Sequence, residues 1–353
     1  MSEKTAKLAD VAKAAGVSQG TASNVFNRPD VVREEVREKV LAAAKKIGYG
    51  GPNPKGRLLR AGKVNAIGIG ANEPLSYFFE DPFARTVMAA ISEEAQARGA
   101  GIALVSAQSE EALAWNIQSA LVDGFILFCL EGADKLVELS QERQLPFVAI
   151  NPPDGYESVA AITIDNLAGA RLAAEHLIEL GHRRFAILGL PFNEKGSGRR
   201  KPMDVRAASY GDTRDRALGY YAVLAQSGIG EDEVPLIETR GDRKTVNEAM
   251  EQLFGAPEPP TALLCMSDLA AMLALEWLQA KGIRVPDEVS VIGFDGVPEG
   301  AMSNPPLTTI AQPLAEIGRK AVDMILGAAP PAGTERMPVR LLVRGSTGPA
   351  PRR

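Results

Sequence analysis

Redox and metal chemistry have almost nothing to work with in this chain. Its 353 residues include two cysteines and two histidines. Cys129 and Cys265 each lie inside an apolar run, which argues against a disulfide framework and fits a reducing, cytoplasmic compartment. His176 and His182 sit in helical patterns as packing and helix-end residues. Two scattered imidazoles without a cysteine cluster leave no ligand set for a metal, and no cofactor is expected. No apolar run approaches the roughly 18 residues that a membrane span needs, and no apolar leader precedes a cleavage site. Secreted, lipid-anchored and membrane-spanning classes are set aside on these grounds. The 34 Gly and 24 Pro are dispersed rather than periodic, so collagen-like and low-complexity classes go too.

What is present is an uneven distribution of charge. The net −5 of the whole chain speaks, taken at face value, against a nucleic-acid partner. Residues 1–62, however, hold twelve Lys and Arg against six Asp and Glu, a surplus of +6 that leaves −11 on the rest. A small basic head on a large acidic body is the electrostatic footprint of a polyanion partner for the head alone.

The head reads as three helices. Leu8, Val11, Ala12 and Ala15 form one apolar stripe, and Gly16-Val17 closes that helix. Ser18 caps the next, whose inner face is Ala22, Val25 and Phe26. A third spans about Arg33 to Ile47, with Val36, Val40, Ala44 and Ile47 on one side, before Gly50-Gly51-Pro52-Asn53-Pro54 breaks regular structure.

In the body, short apolar runs recur at Val64–Ile69, Ile102–Val105, Phe125–Leu130, Phe147–Ile150, Phe185–Leu188, Ala262–Cys265 and Val289–Phe294. Helical patterns such as Phe83–Arg98, Leu167–Leu180 and Leu269–Lys281 lie between them. Such alternation implies parallel sheets covered on both faces. Its length points to two similar α/β units with a ligand cleft between them.

Two helices joined by a tight glycine-containing turn describe a helix-turn-helix, whose second helix enters the major groove. An ordinary helical hairpin capped by Ser18 has the same periodicity. The second helix opens Ser18-Gln19-Gly20-Thr21, followed by Ser23 and Asn24. Gln and Asn pair bidentately with adenine, while Ser and Thr suit phosphates.

Motifs in a fixed order sharpen the choice. They are Leu8-Ala9-Asp10-Val11-Ala12-Lys13-Ala14-Ala15-Gly16-Val17-Ser18, Thr21-Ala22-Ser23-Asn24-Val25-Phe26-Asn27 and Ile47-Gly48-Tyr49 in the head. The body adds Asp165-Asn166, Leu180-Gly181-His182-Arg183-Arg184, Val289-Ser290-Val291-Ile292-Gly293-Phe294-Asp295 and Pro306-Leu307-Thr308-Thr309-Ile310. Over essentially its whole length the chain resembles the LacI/GalR family of bacterial transcriptional regulators. The resemblance implies an all-α helix-turn-helix head at 1–52, a hinge helix at 53–62 and a periplasmic-binding-protein-like α/β body at 63–353. That body consists of two doubly wound parallel-sheet subdomains, about 63–162 with 293–326 and about 163–292 with 327–353. It implies a homodimer on pseudo-palindromic double-stranded operator DNA, and a repressor controlled by a small-molecule effector, a sugar or sugar phosphate. With no leucine heptads near Arg340–Thr347, a dimer is expected rather than a tetramer.

By position in the resemblance, Gln19, Gly20 and Asn24 read bases, and because Gly20 has no side chain the reading falls on Gln19 and Asn24. Ser18, Thr21, Ser23 and Asn27 hold phosphates, with Lys7, Leu8, Arg33 and Arg57 also on the DNA face. Leu59 matches the hinge leucine that wedges into the minor groove. Arg33 and Val36 depart from the family's Ser and Thr, which weakens the cap of the third helix. Gly56 replaces a hinge alanine, a change of about 1 kcal/mol against helix, so this hinge is expected to depend more on DNA to fold.

In the body, Arg216 matches an effector-binding arginine and Asp295 an acceptor for ligand hydroxyls. Asn151 and Ser267 stand where Asp and Asn are common, and Tyr77 and Phe79 are expected to form an aromatic wall. Asp165 reads as a helix cap rather than a ligand group. The stretch from Leu190 to Arg216 is longer than the family's connection, and two readings stay open. One is a disordered loop tip; the other is a lid whose Arg199, Arg200, Lys201 and Arg206 meet an anionic effector such as a phosphorylated sugar, with Arg243 pointing the same way.

Two rivals are weaker. Gly68-Ile69-Gly70-Ala71-Asn72-Glu73 has two of the three glycines of a dinucleotide fingerprint and a bulky third position. No nucleophile–base set accompanies it, so there are no catalytic residues to name. A transport binding protein would have no use for a helix-turn-helix.

Overall fold

The computed structural model describes residues 6–51, 63–71, 73–106, 115–116, 118–128, 142, 144–152, 159–193, 196 and 198–352. They fall into two units divided between Val64 and Asn65.

The head contains α1 (Leu8–Ala15), α2 (Gln19–Asn27) and α3 (Glu34–Lys46). α1 stops because Gly16 adopts a left-handed φ of 63°, which lets the Val17 N–H donate back to the Ala12 carbonyl at 3.0 Å. α2 starts because Ser18 Oγ accepts the Thr21 N–H at 3.0 Å. Arg33, in the capping position of α3, makes no side-chain cap. Val11, Ala12, Ala15, Ala22, Val25, Val40 and Ala44 form the core, and Phe26 meets Tyr49 edge-on with ring centroids 5.5 Å apart. The hinge expectations at 53–62, including Gly56, Arg57 and Leu59, lie outside the described residues.

The body has two sheets. Its strands are β1 (Ala66–Ala71), β2 (Gly101–Ser106), β3 (Gly124–Phe128), β4 (Phe147–Ile150), β5 (Ala161–Ile164) and β6 (Phe185–Gly189). β7 (Gly198–Arg200), β8 (Leu236–Glu238), β9 (Ala262–Cys265), β10 (Ser290–Asp295), β11 (Thr308–Ala311), β12 (Thr334–Met337) and β13 (Arg340–Leu342) follow. The first sheet runs β12-β5-β4-β3-β1-β2 and is parallel throughout. The second runs β13-β11-β10-β9-β6-β8-β7, with only its edge strands β13 and β7 antiparallel. β3 and β6 are buried at every residue, as strands covered on both faces must be.

The covering helices are α4 (Tyr77–Glu80), α5 (Pro82–Ala97), α6 (Asn166–Glu179), α7 (Pro202–Arg206) and α8 (Gly211–Gln226). α9 (Arg243–Phe254), α10 (Asp268–Ala280), α11 (Pro298–Met302) and α12 (Leu314–Leu326) complete them. α5 packs on α12, and α6 on α8. Each pair meets through a glycine: Gly318 lies against Ala90 and the Val87 carbonyl, and Gly219 against Ala170 and the Leu167 carbonyl. Among the described residues no helix is long and apolar enough to cross a membrane.

The lobe boundaries differ from the expected ones near the C-terminus. The resemblance puts residues 293–326 in the first lobe and 327–353 in the second. Instead β10 pairs with β9 and β11 with β10, so both belong to the second sheet. α12 then returns to the first lobe, β12 extends the first sheet beside β5, and β13 closes the second beside β11. Apolar runs announce strands but not the sheet each one joins. Backbone pairing at an open sheet edge decides that.

Candidate functional site

A cavity of about 530 Å³ opens at the carboxyl ends of strands from both sheets, well within the size range of small-molecule sites. Ala71 and Phe128 end β1 and β3, Asn151 follows β4, Leu190 follows β6, Ser267 lies just beyond β9, and Asp295 ends β10; all line it. In the first sheet the chain departs from β1 to either side, and in the second from β6. Open α/β sheets bind ligands at such switch points. The two glycines of the dinucleotide-like stretch are used otherwise. A Cβ at Gly68 would fall 2.4 Å from the Phe125 ring, and one at Gly70 3.1 Å from Leu127. They make room for core side chains, not for a pyrophosphate.

Two lining residues hold conformations that L side chains rarely adopt: Asn151 at φ 50° and Asp295 at φ 137°. Strain of that kind costs roughly 1–3 kcal/mol each and gathers at functional sites. Asn151 also buries its Oδ1 without a hydrogen-bond donor.

The centre of the second lobe's wall is a buried polar network. Arg216 is 3% exposed; its Nε donates to Asn166 Oδ1 at 2.8 Å, Nη1 donates to the Met266 carbonyl, and its guanidinium lies 3.9 Å over the Phe294 ring. Nη1 is also 3.9 Å from Asp295 Oδ1. Asp295 accepts from Gln312 Nε2 at 2.9 Å and from the Asp268 N–H at 3.2 Å. Asp268 in turn accepts the Gly296 and Val297 N–H groups, each at 2.8 Å. It therefore caps the turn after β10. Burial pushes the Asp295 carboxyl well above the ordinary carboxylate range, partly offset by Arg216. Burial raises Asp268 as well, against hydrogen bonds from Thr309, Val297 and Gly296. On the first lobe Asp81 N-caps α5 through the Ala84 N–H at 3.0 Å, and burial raises its carboxyl too.

Of the expected effector residues, Tyr77, Asn151, Arg216, Ser267 and Asp295 line the cavity. Phe79 and Arg243 do not. Residues two apart on a helix point to nearly opposite sides, so with Tyr77 turned inward Phe79 is 65% exposed. Arg243 is the first residue of α9 after its cap Asp242 and pairs outward with Glu276 at 2.6 Å. The aromatic wall is instead Tyr77, Phe83, Phe128 and Tyr210. Glu73, Asp81, Asp212 and Arg240 also line the cavity and were missed in the sequence. The Asp81-Pro82 start of α5 and the strand ends were the signals available for some of them.

The described residues of the long stretch after Leu190 include β7 and α7, with Phe192 and Val205 buried. Pro191, Asn193, Gly196 and residues 210–213 line the cavity, but Arg199, Arg200, Lys201 and Arg206 do not. Arg200 pairs with the buried Glu238, and Arg206 donates two bonds to Glu231 at 2.6 and 2.8 Å. His182 is fully buried between Thr261, Ser290 and the Gly348 carbonyl, and His176 meets Thr347. Burial lowers both imidazoles, so they pack as neutral rings. Asp165 caps α6 through the Ala168 N–H at 2.9 Å.

In the head, Gln19, Gly20, Asn24 and Asn27 are exposed along α2, as are Lys7, Ser18 and Arg33 near the helix starts. Leu8, Thr21 and Ser23 are half-buried. Ser18 and Thr21 hydroxyls meet at 2.8 Å, and Asn27 Nδ2 donates to Ser23 Oγ at 3.1 Å.

Comparison with known proteins gives two family matches: bacterial regulatory proteins of the lacI family over residues 7–53, and a periplasmic binding protein-like domain over residues 174–347. An HTH-type transcriptional regulator of Mycobacterium tuberculosis is 36% identical, covering 99% of this chain and 98% of its own. The HTH-type transcriptional repressor CytR of Escherichia coli is 32% identical over the same shares. A solved complex of the transcriptional regulator CelR with cellobiose matches at 30% identity and a TM-score of 0.67, covering 97% and 99% of the two chains. The lac repressor dimer bound to operator and the anti-inducer ONPF matches at 26% identity and a TM-score of 0.75, covering 98% and 100%.

Proposed function

The chain belongs to the lacI family of bacterial regulatory proteins, and from that membership we propose that this DNA-binding regulator is a repressor whose hold on a two-fold operator is set by a polyhydroxyl effector in the body's cavity. The relatives are transcriptional regulators rather than enzymes. The observation that carries the effector reading is the cavity's wall: Arg216 is held on α8 by Asn166 and the Met266 carbonyl, Asp295 ends β10, Asn151 offers an orphaned acceptor, and aromatic rings supply a stacking face. Fixed donors and acceptors beside an apolar face are what a polyol requires. CelR bound to cellobiose is a structural neighbour whose ligand has that chemistry.

On the DNA side, Gln19 and Asn24 are the base readers, while Ser18, Thr21, Ser23 and Asn27 fix register on phosphates. The homodimer places one α2 in each half-site, and Arg57 and Leu59 of the hinge engage the operator centre. An effector with unequal affinity for open and closed lobes shifts DNA affinity by its differential binding, commonly about 5–150-fold. The test pairs thermal-shift screening of polyols with a band-shift assay, with and without the best stabiliser. The reading expects a ligand that binds the body to weaken DNA binding. A ligand that binds tightly and leaves DNA affinity unchanged contradicts it.

A further inference from the structure

We infer that the effector is an uncharged or amine-bearing polyol and not an anion, and that Asp81 and Asp212, one from each lobe, enforce that choice. This deepens the effector reading above and rests on the cavity being the effector site.

The sign of the wall comes first. Among the described residues it carries Glu73, Asp81, Asp212 and Asp295 against Arg216 and Arg240. Arg216 is already engaged by Asn166, the Met266 carbonyl and the face of Phe294. Arg240 is exposed. A bound phosphate takes a fork of guanidinium donors or several cationic groups. The four basic residues that seemed available for it, Arg199, Arg200, Lys201 and Arg206, are absent from the wall, and two of them pair with Glu238 and Glu231.

The second observation concerns the helix starts around the cavity. Exposed N–H groups there are the usual alternative cradle for an anion. At three of these starts one such N–H already has a side-chain acceptor. Asp81 takes the Ala84 N–H of α5, Ser267 takes the Ala270 N–H of α10, and Asp212 takes the Thr213 N–H at the start of α8. Two of these three acceptors are carboxylates, which present negative charge where an anion would otherwise bind.

The third is what the wall lacks a partner for. Asn151 Oδ1 is a buried acceptor without a donor, and such a group gains from an O–H or N–H and loses against a phosphate oxygen. Tyr77, Phe83, Phe128 and Tyr210 add ring faces that favour a sugar's C–H face or an ammonium. The unfilled requirement at Asn151 is for a donor.

The test is isothermal calorimetry of the full chain with matched probes: glucose, glucosamine and glucose 6-phosphate; ribose and ribose 5-phosphate; adenosine and its 5′-phosphate. In any set that binds, the phosphorylated member is expected to be at least about tenfold weaker, a difference of roughly 1.4 kcal/mol. Asp81→Asn keeps a capping side chain, Asp212→Asn keeps an amide oxygen for the Thr213 N–H, and both should narrow that gap. A phosphate that binds as well as its parent, or no uncharged or amine member binding at millimolar concentration, overturns the ligand class. A gap unchanged in both variants overturns the assignment to Asp81 and Asp212. Calorimetry reads the ligand without DNA, so failed coupling to the operator would sink the regulatory reading and leave this result intact.

Discussion

Asp295 combines an unfavourable backbone conformation with an unfavourable burial. Its φ of 137° is strained, and desolvation holds its carboxyl well above the ordinary range. The folded state therefore keeps a proton that the unfolded chain has already released near the ordinary carboxylate pKa of about 3.9. Between that value and the raised one, stability falls as pH rises, and it levels off above. Asp295→Asn retains the shape and removes the charge. Thermal unfolding at neutral pH should then show a higher midpoint, by roughly 2–4 °C for each kcal/mol relieved, with weaker effector binding. A lower midpoint would mean that the carboxylate is on balance stabilising. Legibility at this scale was partial. Arg216 and Asp295 were found because short motifs mark them. Asp268 was not, because its role exists only once β10 and α10 lie side by side. Phe79 was misjudged because two aromatics in sequence say nothing about which one a helical turn directs inward.

Helices and strands set how much of such a site can be read in advance. The seven apolar runs named in the sequence all became strands, since short apolar runs of four to six residues are hard to place elsewhere. β7, β8 and β13 have three residues each, too few for any period to show. The pairing of helices was equally hidden, because it depends on single glycines. At Gly219 an added methyl would lie 2.6 Å from the Leu167 carbonyl oxygen and 2.7 Å from the Ala170 Cβ. Backbone on that side cannot yield cheaply, so Gly219→Ala should force α8 away from α6 and cost about 1–3 kcal/mol, despite alanine's better helix propensity. Urea unfolding measures it, and an unchanged or higher midpoint would show that α6 and α8 are less tightly apposed. Because α8 carries Arg216 and residues 211–213, the same change should weaken effector binding.

For the molecule as a whole, the net charge was the least informative quantity and its distribution among the most. A surplus of +6 on residues 1–62 and −11 on the rest separates a part that seeks phosphate from a part that avoids it. DNA affinity should consequently fall steeply with salt. The two-sheet body was legible from alternation alone, while the paths of β10 to β13 between the lobes were not. The central claim is that α2 reads DNA in two symmetric half-sites through Gln19 and Asn24. Its most direct measurement is selection of duplexes from a random pool by the full chain, followed by sequencing. The account predicts a two-fold symmetric motif that degenerates at the contacted positions in Gln19→Ala and Asn24→Ala. No enriched motif, or one identical in both variants, would contradict it.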